Sequence, residues 1–234
     1  MGLIQENINF ALPKRFSNSK IMHIKLLILD FDGTIADTSA GIVSTMTKTF
    51  QKVGLPVPGE MEIRRTIGLP LAKSIAMLGG IEGKELDEAV TAYREIFEEV
   101  GVPATTLFPY VAETLEEIHK RGIVCTIATS RGHASVGSLC RKMGIDGYIS
   151  LYVAEDDVVR KKPEPEAVEL TLRTTGIDKA NAAIVGDTTF DIEMGKAAGC
   201  HTIGACYGNH TRQMLETAGA DWVVDNFGEL LKMV

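Results

Sequence analysis

The chain has 234 residues, of which 45% are hydrophobic and 24% are charged, and its formal net charge is −7 at pH 7. This length and composition suit one large or two modest globular domains, and the apolar runs are too short to span a bilayer. The acidic balance argues against a nucleic-acid scaffold, which normally presents a basic face.

The N-terminal segment and the cysteines both favour a cytoplasmic protein. Residues 1–21 are basic and polar without a long apolar stretch, so they do not resemble a secretory signal, and we expect a flexible arm or an upstream extension. Cys125, Cys140, Cys200 and Cys206 lack the spacing of a metal site. They are predicted to be buried free thiols in a reducing compartment.

Apolar segments that alternate with helical patterns predict an α/β fold with a doubly wound parallel sheet. The first strand, at 25–29, has the continuous apolar pattern of a buried parallel strand. Further strands are predicted at 123–129, 148–153, 182–185, 201–205 and 222–224. Helices are predicted at 112–121, 135–143, 166–175, 190–198 and 211–218, and each of them ends before a glycine.

Residues 39–105 interrupt this alternation. Apolar residues recur at helical spacing from 42 to 53 and again from 86 to 100, with no convincing strand between them. Thr38 and its neighbours are N-cap candidates for the first of these helices, and Gly68 is predicted to break two of them. The sequence therefore predicts a small helical cap at 39–105, inserted in a core formed by 22–38 and 106–234. Hinges are expected near 36–39 and 104–109.

The stretch Asp30-Phe31-Asp32-Gly33-Thr34 directly follows the first strand. Two carboxylates at the end of an apolar strand are costly to bury, and a glycine after them lets the chain turn sharply. Open α/β sheets bind ligands at this carboxyl edge. A polar strand end followed by a turn is the alternative interpretation of the pentapeptide taken alone.

Polar residues also follow other strands of the predicted sheet. Thr129-Ser130-Arg131 follows one strand, and the segment 186–191 (Gly-Asp-Thr-Thr-Phe-Asp) follows another. Between them lies Lys161-Lys162-Pro163-Glu164-Pro165. Because parallel strands end at one edge, a hydroxyl, a lysine and carboxylates are expected to converge on the first pair of acids.

These residues, in this order, resemble the four motifs of the haloacid dehalogenase-like hydrolase superfamily. The pentapeptide at 30–34 matches the first motif and Thr129 the second. Lys162 matches the third motif, and Gly186-Asp187 with Asp191 matches the fourth. The helical cap between the first two motifs is similar to that of the subgroup that contains phosphoglycolate phosphatase, pyrophosphatase and β-phosphoglucomutase. The resemblance covers nearly the whole chain from Met22 onward.

The resemblance implies a phosphoryl-transfer site that uses Mg²⁺. Asp30 would be the nucleophile, and Asp32 would protonate the leaving group and then take a proton from water. Asp30 and Asp187 would supply carboxylates to Mg²⁺, Asp32 its backbone carbonyl, and Asp191 would support the metal's waters. For Asp191 the alternative is a helix-start acid. Asp32 argues against true dehalogenation, because the dehalogenases lack an Asp at this position.

The resemblance also implies which groups bind the phosphate. Thr129 through its hydroxyl and Ser130 through its backbone N–H would contact phosphoryl oxygens, and Lys162 would neutralise charge on Asp30. Gly33 belongs to the same phosphate-binding set. The alternatives are a helix-entry residue for Thr129 and a solvated surface lysine for Lys162.

Candidates for substrate selection lie in the predicted cap. They are Arg64, Arg65, Gly68 and Lys73. A solvated charged face is the alternative explanation for the three cations. His119 and His133 are expected at the surface, and Trp222 is expected in the core near the last strand.

Taken together, the motifs predict a Mg²⁺-dependent phosphatase that acts on a small phosphorylated metabolite, such as a phosphoglycolate-like monoester, through an aspartyl-phosphate. It would be a monomer or homodimer that binds neither nucleic acid nor membrane. Inorganic pyrophosphatase activity, a β-phosphoglucomutase-type mutase and a non-catalytic binding module remain as alternatives. The mutases of the family carry a cap histidine and a Ser-Arg pair, which the corresponding stretches 39–42 and 68–71 lack.

Overall fold

The computed structural model describes residues 23–234, so the expectation for residues 1–21 lies outside the described part. Eight strands occur in it: β1 (Leu26–Leu29), β2 (Ala36–Asp37), β3 (Thr106–Leu107), β4 (Val124–Ala128), β5 (Leu151–Val153), β6 (Ala182–Gly186), β7 (His201–Ala205) and β8 (Trp222–Val224). Six of them form one sheet in the order β5-β4-β1-β6-β7-β8, and every pair in it is parallel. The predicted α/β fold with a parallel sheet is confirmed.

Helices connect these strands. They are α1 (Ser39–Lys52), α2 (Glu60–Arg64), α3 (Leu71–Gly79), α4 (Gly83–Ile96), α5 (Val102–Ala104), α6 (Val111–Lys120), α7 (His133–Lys142), α8 (Glu166–Thr175), α9 (Thr189–Ala198) and α10 (Arg212–Ala218). A π-helical turn, Phe97–Gly101, joins α4 to α5. Short 3₁₀ turns occur at Asp146–Tyr148, Glu155–Asp157, Lys179–Asn181 and Phe227–Lys232.

The sheet reverses its direction of growth at β1, and this positions the site. From β1 the chain adds β4 and β5 on one side, and then returns to add β6, β7 and β8 on the other. β1 is therefore flanked by strands that connect in opposite directions. Such a switch point leaves a crevice at the carboxyl ends of the strands, where ligands bind in open α/β sheets.

Both faces of the sheet are covered, as the doubly wound prediction requires. Leu27 and Leu29 of β1 pack in a core cluster that includes residues of α6 and α7, whereas Leu26 and Ile28 pack in a second cluster that includes residues of α8 and α9. The alternation follows from the two-residue period of a strand. All four side chains are fully buried, which fits the continuous apolar pattern of this segment.

Most predicted bounds lie within two residues of the observed ones, and two differences are larger. The strand predicted at 148–153 is shorter, because a 3₁₀ turn ending at Tyr148 precedes β5. The antiparallel pair β2–β3 was not predicted, since two-residue strands are too short to show a period. Thr38 is the N-cap of α1 as expected, although its hydroxyl makes no capping bond.

The remaining expectations concern single residues. All four cysteines are free; Cys206 is half-buried and the other three are buried. His119 and His133 are exposed, and Trp222 packs partly buried against the core. Within residues 23–234, no helix combines the length and apolar character that crossing a bilayer would need.

Candidate active site

Three buried carboxylates meet at the switch point of the sheet. Asp30 follows β1, Asp187 follows β6, and Asp191 lies in the first turn of α9. One oxygen of each lies within 4.8 Å of the others, and their exposures are 4%, 0% and 1%. Like charges at this spacing repel strongly in a buried site. The cluster therefore requires compensating positive charge.

Lys162 supplies part of that charge. Its Nζ donates to Asp30 Oδ1 and to Asp191 Oδ1, each at 2.6 Å, and the side chain is buried. Burial alone would favour the neutral amine, but Asp191 and Asp30 outweigh it and raise the pKa of Lys162. The position of Lys162 excludes the alternative of a solvated surface lysine.

Asp191 serves the helix as well as the cluster. Its Oδ2 accepts from the backbone N–H of Thr188 at 3.1 Å and from the Thr188 hydroxyl at 2.7 Å, which closes the N-terminus of α9. Its other oxygen accepts from Lys162. Asp191 therefore starts the helix, as the alternative interpretation expects, and it also holds Lys162 beside Asp30. Its support of a metal's waters stays a prediction.

Asp187 is held by groups that the sequence reasoning missed. Its Oδ2 accepts from the backbone N–H and from Nδ2 of Asn209, both at 2.7 Å, and its Oδ1 accepts from the Thr34 hydroxyl at 3.2 Å. Asn209 lies in the loop after β7, at the same edge as the motifs. The sequence signal that could have located Asn209 is the pair Gly208-Asn209 shortly after the end of a predicted strand.

Glycines let these groups approach Asp187 closely. A Cβ built on Gly33, whose φ is +84°, would lie 2.1 Å from Asp187 Oδ2 and 2.4 Å from Asn209 Nδ2. A Cβ on Gly208 would lie 2.3 Å from the carbonyl oxygen of Gly33. Side chains at these two positions would push Asn209 and Asp187 apart. The backbone N–H of Gly33 donates to the Ala36 carbonyl at 2.8 Å, and the assignment of Gly33 to the phosphate-binding set stays a prediction.

Burial dominates the proton affinity of two of these acids. It raises the pKa of Asp187 to about 7, with a further contribution from Asp191, although Asn209 acts in the opposite direction. Burial likewise raises the pKa of Asp30, even though Lys162 opposes the shift. A bound cation would reverse this balance by favouring the ionised carboxylates.

The donor set fits a hard divalent cation. Three carboxylates face one ammonium group, so the described cluster carries excess negative charge in a buried place. Mg²⁺ prefers oxygen ligands and is usually bound through one or two carboxylates together with water and phosphate oxygens. Asp30, Asp187 and Asp191 each offer an oxygen to one ion, and Asp30 and Asp187 are the two carboxylates that the family resemblance implies would hold it.

Asp32 has a partner that the sequence reasoning did not assign. Arg131 donates through Nε and Nη2 to the Asp32 carboxylate, at 2.7 to 3.0 Å, and both side chains are nearly buried. The guanidinium carbon also lies 4.5 Å above the ring centre of Phe97. Burial opposes the charged form, yet Asp32 outweighs it and raises the pKa of Arg131. Arg131 thus fixes the direction of the Asp32 carboxylate.

The hydroxyl and amide predicted to bind phosphate lie beside the acids. Thr129 and Ser130 line the same cavity as Asp30 and Asp32. Thr129 Oγ1 accepts from the Arg131 N–H at 3.2 Å, which leaves its own proton free to donate. The Ser130 hydroxyl donates at 2.8 Å to the carbonyl of Gly68, which lies in the helical segment, residues 39–105. Ser130 thus also links the helical segment to the sheet.

Only one of the four candidates for substrate selection lines the cavity. Gly68 lines the cavity that contains Asp30. Arg64, Arg65 and Lys73 do not line it: Arg64 pairs with Glu60 at 2.8 Å, and the other two are exposed. This arrangement favours the solvated charged face for the three cations.

Comparison with known proteins decides the family. The model of the haloacid dehalogenase-like hydrolase family matches residues 27–205, which is more than half of the chain. The chain belongs to the haloacid dehalogenase-like hydrolase family. The resemblance drawn from the four motifs is confirmed.

Relatives extend this assignment. The enzyme is 36% identical to the Dickeya dadantii protein named Probable phosphatase IndB, over 88% of this chain and 91% of that protein. It is 29% identical to a phosphoglycolate phosphatase of Salmonella typhi, over 91% and 93% of the two chains. A crystal structure of a haloacid dehalogenase-like protein from Bacteroides fragilis superposes with a TM-score of 0.84 at 27% identity, covering 88% of this chain and 99% of that one.

Proposed function

We propose that this enzyme is a Mg²⁺-dependent phosphatase that hydrolyses a small phosphorylated metabolite through an aspartyl-phosphate. The observation that carries the proposal is the buried cluster in which Lys162 lies 2.6 Å from both Asp30 and Asp191, with Asp187 beside them. A carboxylate nucleophile divides a difficult transfer into two easier steps. The names of the relatives agree with phosphatase activity and make a phosphoglycolate-like monoester the first candidate substrate.

In the first step, an oxygen of Asp30 attacks phosphorus while the bond to the leaving oxygen breaks. Asp32 gives its proton to that oxygen, which requires its carboxyl group to turn away from Arg131. In the second step, water attacks the phosphorus, Asp32 takes the proton, and phosphate departs from Asp30. Bound Mg²⁺ would offset the repulsion between the anionic nucleophile and the anionic phosphate.

The other residues of the site position the phosphoryl group. Lys162 keeps Asp30 in a fixed orientation and neutralises charge that would otherwise repel the substrate. The hydroxyl of Thr129 and the N–H of Ser130 donate to phosphoryl oxygens as charge shifts onto them during transfer. The sequence predicts that Thr129 and Ser130 bind the same phosphate. Both residues line one cavity with Asp30, which supports that assignment.

A moving cap completes the proposal. Residues 39–105 would form the cap, with the core made of 22–38 and 106–234. The β2–β3 ribbon joins the two connections where hinges are expected, because Ala36 pairs with Leu107 and Asp37 with Thr106. Opening would admit substrate and closure would exclude bulk water from the reaction. We also place the enzyme in the cytoplasm, in keeping with its four free cysteines.

Phosphate release from p-nitrophenyl phosphate tests the proposed function. We expect Mg²⁺-dependent turnover by the purified protein, loss of that turnover on adding a chelator, and its recovery when Mg²⁺ is returned. Asp30→Asn removes the nucleophile and is expected to lower kcat by at least about 10³-fold. Unchanged turnover by a correctly folded Asp30→Asn variant would refute the nucleophile assignment.

A further inference from the structure

The cavity beside Asp30 and Asp32 is much larger than a phosphate group needs. Its volume is about 500 Å³, and cavities of about 300–1,000 Å³ enclose drug-sized ligands. The helical segment contributes a mostly apolar wall to it. The wall includes Ile42, Met46, Ile67, Leu69, Tyr93 and Phe97. A phosphate that reached Asp30 would therefore leave this wall uncovered unless the rest of the substrate filled the space.

Two buried aromatic rings support the wall, and the Arg131 guanidinium lies over one of them, the ring of Phe97. Tyr93 and Phe97 stack with ring centres 5.9 Å apart and 15° between their planes. The π-helical turn places Phe97 against Gly101, where an added Cβ would lie 2.2 Å from the ring. The position of Phe97 thus depends on the absence of a side chain at Gly101. An apolar wall of this kind binds carbon rings and chains better than it binds carboxylates.

The charged residues that line the cavity offer little stabilisation to a second anionic group on the substrate. Two arginines line it, and the Arg131 guanidinium is already matched by Asp32. Arg94 is exposed, and its charge acts on the carboxyl group of Glu155, which lines the same cavity. Glu98 and Asp156 line the cavity as well. A small anion such as glycolate would meet no buried, unmatched cation next to the acids.

We propose that the preferred substrate is a phosphate monoester of an uncharged alcohol with a sizeable apolar part, larger than glycolate. This inference rests on the proposed phosphatase function, and it replaces the phosphoglycolate-like monoester suggested by the names of the relatives as the expected substrate. The apolar part would lie against the aliphatic wall residues, among them the half-buried Leu69, while the phosphate reaches Asp30. Each methylene that fills an apolar pocket is worth about 10-fold or more in kcat/KM.

A series of alkyl phosphates separates size from charge. With Mg²⁺ present, we compare kcat/KM for ethyl phosphate, 2-phenylethyl phosphate, 2-(4-carboxyphenyl)ethyl phosphate, 2-phosphoglycolate and pyrophosphate. The three alkyl leaving groups have similar acidity, so differences among them report binding in the cavity. We expect 2-phenylethyl phosphate to exceed ethyl phosphate and 2-phosphoglycolate at least tenfold, and the added carboxylate to remove most of that advantage.

The outcomes distinguish this inference from the proposed function. Equal or better turnover of 2-phosphoglycolate or pyrophosphate overturns the inference and leaves the phosphatase assignment intact. Turnover of ethyl and 2-phenylethyl phosphates at the same kcat/KM also overturns it. If no phosphomonoester, p-nitrophenyl phosphate included, is hydrolysed, the proposed function itself fails and the inference fails with it.

A matched pair of variants tests the wall directly. Leu69 is half-buried and lines the cavity, whereas Met61 is 64% exposed and lies outside it. Leu69→Asn is expected to lower the ratio of kcat/KM for 2-phenylethyl phosphate over ethyl phosphate by at least threefold. Met61→Asn is expected to leave this ratio unchanged. An unchanged ratio in a folded Leu69→Asn variant contradicts contact between the wall and the substrate.

Discussion

At the scale of single residues, the site depends on side chains that orient the acids as much as on the acids themselves. Lys162 binds Asp30, Asn209 binds Asp187, and Arg131 binds Asp32. Each of these partners comes from a different connection at the sheet edge. Asp30 and Asp187, held by fixed donors, keep their geometry when charge moves during the reaction, whereas Asp32 must turn away from Arg131 to transfer its proton.

Asn209 is expected to control the affinity for Mg²⁺. In Asn209→Ala, Asp187 loses the Nδ2 donor, and we expect the Mg²⁺ concentration for half-maximal turnover to rise about 10- to 100-fold, as is typical when a group that orients a metal ligand is removed. A Mg²⁺ titration of phosphatase activity measures this.

Ser39→Ala is the matched control for this titration, because it removes a hydrogen bond to Asn209 Oδ1 without touching Asp187. We expect a much smaller rise in the Mg²⁺ requirement for Ser39→Ala. An unaltered requirement in Asn209→Ala would show that the backbone N–H of residue 209 is sufficient to orient Asp187.

The pair formed by Arg131 and Asp32 is expected to show strong coupling. Arg131→Met leaves a nearly buried carboxylate without its cation, and we expect a loss of about 3 kcal/mol in the free energy of unfolding. The double variant Arg131→Met with Asp32→Asn should recover part of that loss, because no unpaired charge remains. Equilibrium urea unfolding of the four proteins gives the coupling energy.

The exposed pair Lys52–Glu95 offers the comparison for that cycle. Its N–O distance is 2.8 Å, similar to that of Arg131 and Asp32, but its side chains are 52% and 62% exposed. We expect less than about 1 kcal/mol of coupling there. Equal coupling energies for the two pairs would show that burial does not strengthen the Arg131–Asp32 contact.

At the scale of elements, glycines let backbones approach closely at two places, one within the helical segment and one between that segment and the strand ends. A Cβ on Gly41 of α1 would lie 3.0 Å from the Gly101 carbonyl oxygen, so α1 and the π-helical turn pack backbone to backbone. Gly68 approaches the other side of the site: its carbonyl accepts from Ser130, and an added Cβ would lie 3.0 Å from the methyl group of Thr188. Gly68 is therefore a contact between the proposed cap and the core.

Gly68→Ala tests whether this contact matters for turnover. Gly68 has φ +96°, and an alanine there would meet Thr188 in addition to being strained. We expect kcat/KM for p-nitrophenyl phosphate to fall at least about tenfold, since small misplacements of a closing segment have large effects on rate.

Gly54→Ala provides the control, because Gly54 has φ +74° but no atom within 4 Å of an added Cβ. Both variants are expected to lose about 1–2 kcal/mol of stability from the left-handed backbone. Only Gly68→Ala is expected to lose activity. Comparable activity in the two variants would exclude a closing role for Gly68.

At the scale of the whole molecule, the acid cluster opposes folding when no cation is bound. Burial raises the pKa of Asp187 from 3.8 to about 7, so the folded protein holds this proton more tightly than the unfolded chain does. The resulting stabilisation is fully present below about pH 4 and is lost as the pH rises through about 7. Asp30 is shifted in the same direction.

We therefore expect the metal-free enzyme to lose stability relative to Asp187→Asn as the pH rises from about 4 to 7.5. Urea unfolding in chelator across this range measures the difference. Added Mg²⁺ should stabilise the wild type at pH 7.5, by about 2.7 kcal/mol at 100 times its Kd, and should stabilise Asp187→Asn far less. Parallel pH profiles for the two proteins would contradict the burial of an ionised Asp187.

The parallel order of the strands and the chemistry of the strand ends were open to prediction from the sequence. Strand and helix periods are local, so the segments at 182–185, 201–205 and 222–224 were located closely, and the first motif identified the edge that carries the acids. Parallel strands bring their carboxyl ends together. This is why Lys162, predicted at that edge, lies against Asp30 although 132 positions separate them.

Other features depend on contacts that no local pattern encodes. The pairing of Arg131 with Asp32, the binding of Asp187 by Asn209, and the β2–β3 ribbon join residues far apart in the chain or too few to show a period. The apolar wall was visible in the sequence only as helix-spaced core residues. It became a cavity surface because the tertiary packing of the helical segment leaves its apolar side over the acids unfilled, and packing geometry is a property of the folded chain.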